Sequence, residues 1–345
     1  MKFKFNEIYI STPEVNLPEL TISSDEIEKK LSPLYERLKL PHGRLELMTG
    51  IKERKYWQQG TLPSDIACKA AKTLIDKFEI ELNSIDQLVH ASVCRNFLEP
   101  STASVIHHQL GLKSECMIYD LSNACLGVMS SILSSAKLIE SGLIQTALIV
   151  SGENSGPLLM NTIESLNNAT NLTRKNIKKY IANLTIGSSA VAILVSNKKS
   201  LATPHKLIGG AGLCDTSANK LCHGEGDTNN LMMETDSEAL LEKGISLSKK
   251  SIELTLESLD WTRDQFDYVI GHQVGSAHEE QTFKAMGIQD CKTISTYEFL
   301  GNTGSAALPS TLNHLATTNT PKENAKIGLL GIGSGLNTIM MGILW

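Results

Sequence analysis

A cysteine set between two apolar runs marks the first place in this chain where chemistry can be located. Cys125 lies in Tyr119-Asp120-Leu121-Ser122-Asn123-Ala124-Cys125-Leu126-Gly127, where a strand-like stretch breaks through small polar residues into a helix-like one. A thiol at the N-terminal end of a helix gains from the helix dipole and from unpaired backbone N–H groups, so this setting predicts a lowered pKa and a reactive nucleophile. Such a nucleophile needs a base or ion-pair partner, and a carbonyl substrate needs donors for its oxyanion. His272 follows directly on the apolar run Tyr268-Val269-Ile270-Gly271, where a strand end presents its ring to a crevice. Asn302, in Gly301-Asn302-Thr303-Gly304-Ser305, stands just before a helix-like run, although those letters alone equally describe a plain turn.

The elements that would position these residues occur twice. From Ser64 the sequence reads as an amphipathic helix, a short connection holding Asp86, and an apolar strand through Ser92; from Leu247 the same order returns, with Asp267 before the strand that ends at His272. Helices over 102–112 and 277–286 follow in each copy. Later, Thr146-Ala147-Leu148-Ile149-Val150-Ser151-Gly152 matches Ala325-Lys326-Ile327-Gly328-Leu329-Leu330-Gly331, each preceded by a helix, over 126–141 and 306–317. Alternating helices and apolar strands imply an α/β protein of two related halves. The halves are expected at 1–200, carrying Cys125, and 201–345, carrying His272 and Asn302.

Two regions stand outside the repeat. Residues 155–187 form an insert expected to cap the site, and 214–236 form a polar, Gly- and Asn-rich stretch; inserts on a rigid scaffold commonly shape binding sites. The cluster Thr173-Arg174-Lys175-Asn176-Ile177-Lys178-Lys179-Tyr180 suits either a solvated helix face or a phosphate-bearing carrier. Apolar residues Leu158-Leu159-Met160 and Leu231-Met232-Met233 suit either core packing or the wall of an acyl channel.

Composition narrows the classes. The chain has 345 residues, 41% hydrophobic and 20% charged, which suits a soluble globular body with room for two cores. A net charge of −5 gives no support to nucleic-acid binding. No apolar run is long enough to span a membrane, and the N-terminus lacks the apolar core of a signal peptide, so a cytoplasmic protein without stable membrane insertion is expected. Seven scattered cysteines then read as reduced, mostly buried thiols. Cys214 with Cys222-His223 lacks the second close pair of a structural zinc site, so no metal and no cofactor are expected.

Cys125, His272 and Asn302, in that order and followed by Gly331-Ile332-Gly333-Ser334-Gly335-Leu336, resemble the Cys-His-Asn set and C-terminal glycine loop of the thiolase superfamily, closest to its 3-oxoacyl-carrier-protein synthase III branch. The resemblance extends over essentially the whole chain, including Met48-Thr49-Gly50-Ile51-Lys52-Glu53-Arg54. It implies the thiolase fold, two halves in five αβαβα layers, and a homodimer. It also implies that Cys125 accepts an acyl group, that His272 and Asn302 stabilise the thioester or enolate oxygen, and that backbone N–H groups of Cys125 and Gly335, in the loop with Gly333 and Ser334, hold the oxyanion.

One residue refines the resemblance. Pro100-Ser101-Thr102-Ala103 resembles a segment that in this family crosses the dimer interface, and decarboxylating synthases usually carry an apolar aromatic before the proline. Here that residue is Glu99. With Ser151-Gly152-Glu153-Asn154, this resembles the OleA-type enzymes that condense two fatty acyl-CoA molecules head to head. A synthase extending with malonyl makes its carbanion by losing carbon dioxide, whereas joining two unactivated acyl chains requires a base that takes a proton from an α-carbon. A carboxylate desolvated among acyl chains gains basicity, which makes Glu99, acting across the dimer, the candidate base; a solvent-facing loop carboxylate is the plain alternative.

The expected reaction is therefore a non-decarboxylative Claisen condensation of two acyl-CoA molecules through a Cys125 acyl-enzyme, giving a 2-alkyl-3-oxoacyl product. Decarboxylative ketoacyl synthesis, acyl transfer to an oxygen or nitrogen nucleophile, and a non-enzymatic acyl-binding module stay open beside it. The donor is an acyl-CoA or an acyl carrier protein. Where the family often holds CoA with a tryptophan and an arginine, this chain has Arg44 and Met48, so no CoA contact is carried over.

Overall fold

The computed structural model of the chain describes residues 1–225 and 232–345; Leu231 of the channel reading lies outside them. In the first half, the strands Gln87–Ala91, Met117–Leu121 and Thr146–Glu153 run parallel, and Ser189–Ser196 closes against the last of them antiparallel. In the second, Tyr268–Gly271 and Lys326–Gly333 are parallel, and Asn337–Leu344 and His205–Cys214 complete the sheet antiparallel. The short strand Tyr9–Ile10 pairs with both His205–Lys206 and Val195–Ser196, joining the halves into one continuous sheet.

Period-two alternation explains the layering, because both faces of these strands are apolar. Val89, Ala91, Ala147 and Ile149 turn to a central core shared with Ile327, Leu329, Met341 and Ile343 of the second half. Leu88, Leu148 and Val150 face outward, onto the helix Pro63–Lys77 through Ala67, Ala71 and Leu74. On the other outer face, Val269, Leu330 and Met340 meet Ile252 and Leu256 of the helix Ser237–Leu259 and Phe283 of Ser276–Met286. The helices Gly127–Glu140 and Ala307–Thr318 are enclosed between the half-sheets and supply Val128, Ile132, Leu308 and Leu312 to the shared core. The order is helix, sheet, helix, sheet, helix: the five-layer thiolase architecture. Among the described residues no helix is long and apolar enough to cross a membrane.

The repeated aspartate has a physical role. Asp86 accepts the N–H groups of Gln145 and Thr146, and its own N–H donates to the Thr146 carbonyl. Asp267 accepts the Lys326 N–H and donates to the Lys326 carbonyl. Each pins the start of one strand to the next, so each strand's far end emerges at a set level. Element bounds agree with the sequence reading within a few residues, with one larger difference: the helix expected from Leu247 begins at Ser237, capped by Asp236, which accepts the Ala239 N–H.

Candidate active site

The Cys125 loop is short and strained. Ala124 sits at φ 45°, a left-handed conformation that residues with a Cβ rarely adopt, immediately before Cys125, and the helix begins at Gly127. Gly127 is required there: a Cβ would lie 2.6 Å from Ser305 Oγ, whose hydroxyl accepts the Val128 N–H at 2.9 Å. The Cys125 helix and the loop after Asn302 are thus in direct contact. Asn123 donates to Ser130 Oγ and, at 3.1 Å, to Asn337 Oδ1, while Asn337 donates to the Ser334 carbonyl. That chain of amides ties the Cys125 loop to the glycine turn. Gly333 and Ser334 line the cavity described below; Gly335, at φ 122°, shapes the turn beside them.

The thiol differs from the sequence reading. Burial pushes Cys125 up to about 12, with the Glu153 carboxylate and the nearby Cys222 adding to the rise and its own backbone N–H opposing it. Desolvation therefore outweighs the helix terminus, and the resting group is a neutral thiol. Burial, with His278 contributing, lowers His272 to about 4, so its imidazole is neutral as well. Its Nδ1 is buried without a partner among the described residues. The tautomer with hydrogen on Nε2 leaves only an acceptor unpaired and offers the ring's one donor to the cavity.

His272 lies one residue beyond the strand Tyr268–Gly271, as the sequence reading expects. The loop after it is locked by Gln273, fully buried, which accepts the Thr296 and Tyr297 N–H groups and donates to the Gly271 carbonyl. Gly275 brings that loop against Thr49 of the Met48–Arg54 segment, whose carbonyl would be 2.5 Å from an added Cβ. Asn302 is no free turn residue: its N–H donates to the Thr185 carbonyl and its carbonyl accepts the Gly187 N–H. Its Oδ1 accepts the Gly304 N–H at 3.0 Å, which leaves the amide NH2 as the cavity-facing donor.

Glu153 is the group that sequence reasoning quoted without a role. At the end of the strand Thr146–Glu153 and only 3% exposed, it accepts N–H groups from Val93 and Ser305 on one oxygen and from Cys94 on the other. Through Ser305 it reaches the Cys125 helix, and through Val93 and Cys94 the loop that carries Glu99. A glutamate closing an otherwise apolar buried strand was the available signal.

The Glu99 loop is anchored at both ends and open at its tip. Asp120 accepts the Thr102 and Ala103 N–H groups at 2.8 Å each, and Asn96 accepts the Ser64 N–H while its own N–H donates to Thr102 Oγ1. Between these anchors Phe97 is 50% and Leu98 92% exposed, and Glu99 is exposed too. Glu99 lies outside its own chain's cavity, whereas Val93, Cys94 and Arg95 of the same loop line it.

Cys125, His272 and Asn302 line one cavity of about 640 Å³. The insert contributes Leu158, Ala182 and Thr185 to its wall, and Met233 faces it from beyond the insert. Leu159 and Met160, by contrast, pack in a separate core with Leu31, Leu34 and Ile163. The basic cluster is engaged within the chain: Arg174 donates to the Leu38 and Lys39 carbonyls, Lys178 pairs with Glu238, and Lys179 and Tyr180 meet Glu234. Met48 is exposed on the short helix Arg44–Thr49. The cysteines are all free; Cys68 and Cys116 are buried, Cys94, Cys125, Cys222 and Cys291 are half-buried and Cys214 is exposed, short of the mostly buried set expected. No metal-holding cluster occurs among the described residues.

Residues 256–345 match the family described as 3-oxoacyl-[acyl-carrier-protein] synthase III, C-terminal. The chain is 36% identical to the acyl-CoA:acyl-CoA alkyltransferase of Shewanella oneidensis, over 99% of this chain and 100% of that one. It is 34% identical to the Xanthomonas campestris protein of the same name, over 94% and 95%. A β-ketoacyl-[acyl-carrier-protein] synthase III of Neisseria gonorrhoeae is more distant, at 23% over 92% and 93%. In structure the chain matches a cysteine-to-serine variant of Xanthomonas campestris OleA with bound lauric acid and lauroyl-CoA, with a TM-score of 0.93 and 32% identity over 99% of this chain and 100% of that one.

Proposed function

The chain belongs to the acyl-CoA:acyl-CoA alkyltransferase family, and on that premise we propose that it joins two fatty acyl-CoA molecules head to head through an acyl group carried on Cys125. The observation that carries this reading is that one shared cavity is lined by a thiol from the first half and by two donors from the second, His272 and Asn302.

In the first half-reaction the Cys125 sulfur attacks the thioester carbonyl of one acyl-CoA. The carbon–sulfur bond to CoA breaks, and the proton from Cys125 ends on the departing CoA sulfur. Because thiol and imidazole rest neutral, charge arises only as the thioester reacts, and the backbone N–H groups of Cys125 and Gly335 receive it as oxyanion. In the second, a base takes a proton from the α-carbon of another acyl-CoA. The neutral Nε2–H of His272 and the Asn302 amide hold the enolate oxygen, and the α-carbon attacks the acyl group on Cys125. A carbon–carbon bond forms, the Cys125 sulfur leaves and regains a proton, and the product is a 2-alkyl-3-oxoacyl thioester.

Glu99 is the proposed base, supplied by the partner of a homodimer. Leaving Leu98 in water forgoes roughly 1.5–3 kcal/mol, and the half-exposed Phe97 about half as much, which favours their being covered by a second copy. Two anchors hold the loop outward, so a partner's cavity is the natural destination for its tip. OleA structures with a glutamate substituted support the assignment. That glutamate and the cysteine altered in the serine variant are separated by the same number of residues as Glu99 and Cys125.

Mass spectrometry of intact protein and products, with acyl-CoA in the presence and absence of malonyl-CoA, tests the reading. The expected outcome is a Cys125 adduct and a 2-alkyl-3-oxoacyl product without malonyl-CoA. A product formed only with malonyl-CoA would replace this reading by the decarboxylative one.

A further inference from the structure

One side of the cavity, here called its arm, is lined by the helices Ser237–Leu259 and Ser276–Met286. Ser237, Leu240, Leu241, Gly244 and Ser248 line it from one helix, a face advancing about 16 Å at 1.5 Å per residue. His278, Thr282 and Met286, spaced by four, line it from the other. Leu330 and Met340 of the sheet form its floor. An arm built to take hydrocarbon alone would be apolar throughout, and this one is not.

Ser248 is the decisive residue. It is 1% exposed, faces the cavity, and its Oγ has no hydrogen-bond partner among the described residues. Buried hydroxyls are ordinarily paired, and one left unpaired in an apolar setting is destabilising. His278 and Thr282 bring two further polar side chains to the same arm, and burial holds His278 below its ordinary pKa, in its neutral form. Hydroxyls and a neutral imidazole can each donate or accept, which suits another hydroxyl, while the Glu279 carboxyl that also lines the cavity is engaged by the Ser295 and Tyr297 hydroxyls.

We propose that this arm is a subsite for an acyl chain bearing a hydroxyl group, recognised by Ser248 with Thr282 and His278. The proposal rests on the condensing reading above and adds the chemical class of the chain. A saturated chain leaves Ser248 unpaired; a chain whose hydroxyl reaches Ser248 pairs both groups. A gain of about tenfold in kcat/KM follows for a correctly placed hydroxyl.

The test compares acyl-CoA substrates of equal length with and without one hydroxyl, its position moved along the chain, on the wild-type protein and on Ser248→Ala and Thr282→Val. At one or more positions the hydroxylated chain should be used about tenfold better, and Ser248→Ala should bring that ratio close to one. Thr282→Val reads the same ratio from the opposite helix should Ser248→Ala fold poorly. A wild-type ratio of one or less at every position, or a raised ratio that neither substitution lowers, would overturn the subsite while leaving condensation intact. Failure of every chain to acylate Cys125, read by intact mass, would overturn the condensing reading and the subsite with it.

Discussion

The two halves of the chain share a helix, an aspartate and a strand, yet the ends of their equivalent strands are used in opposite ways. After Gln87–Ala91 the backbone runs out through a long arm whose Phe97, Leu98 and Glu99 are exposed. After Tyr268–Gly271 it turns at once through His272 and the buried Gln273, and stays within the molecule. The enclosed helices divide similarly: Cys125 precedes one, and Asn302 with Ser305 precedes the other. The two halves are similar scaffolds, and the proposed chemistry divides between them: one half would present the nucleophile and an outward base, the other fixed donors. Glu153 joins them, because its carboxylate holds both the start of the arm and the Ser305 loop.

Substitutions can break this division at successive depths. Cys125→Ala removes the acyl acceptor, and turnover should fall by more than about 10^4-fold with no covalent adduct by intact mass. On the donor side, Asn302→Ala should cost about 10^2–10^3-fold in condensation, since one preorganised donor to the oxygen is lost. Acylation of Cys125 should fall much less, which a single-turnover assay would separate; equal losses in both steps would place Asn302 in the first step as well.

Glu153→Gln probes the joint between the halves. It puts an NH2 among N–H groups that need an acceptor, so condensation should drop about ten- to a hundredfold. The same substitution removes a negative charge that holds the Cys125 thiol up, so alkylation of Cys125 by iodoacetamide at fixed pH should become faster. Slower condensation without faster alkylation would mean that Glu153 acts on the loop alone.

The thiol itself gives the mildest test. With its pKa near 12, the reactive thiolate is a minor form across the neutral range and grows with pH. Alkylation of the unliganded protein should therefore rise about tenfold per pH unit from 7 to 10 without a plateau. A plateau near pH 7 would indicate a thiolate–imidazolium pair in place of the neutral one.

Much of this was legible in the letters because local patterns carry it. The alternation of Leu88, Val89, His90 and Ala91 implies a strand wherever it folds, and Asp86 and Asp267 mark the same junction twice. Cys125 and His272 are recognisable as strand-to-helix and strand-end residues. The thiol's pKa was not legible, since it depends on how far the folded chain desolvates Cys125 and on Glu153 lying near it, and neither is local. Glu153 escaped for the same reason: its partners Val93, Cys94 and Ser305 come from two distant loops. The unpaired Ser248 hydroxyl is invisible in a helix that reads as an ordinary amphipathic run.

The central claim is that the outward arm supplies the base for the second substrate while the thiol accepts the first. Glu99→Gln, incubated with a fatty acyl-CoA and followed by mass spectrometry of protein and products, tests it most directly. The account predicts a Cys125 acyl adduct at the wild-type level and a loss of about 10^2–10^4-fold in the 2-alkyl-3-oxoacyl product. Product formation at the wild-type rate would contradict it.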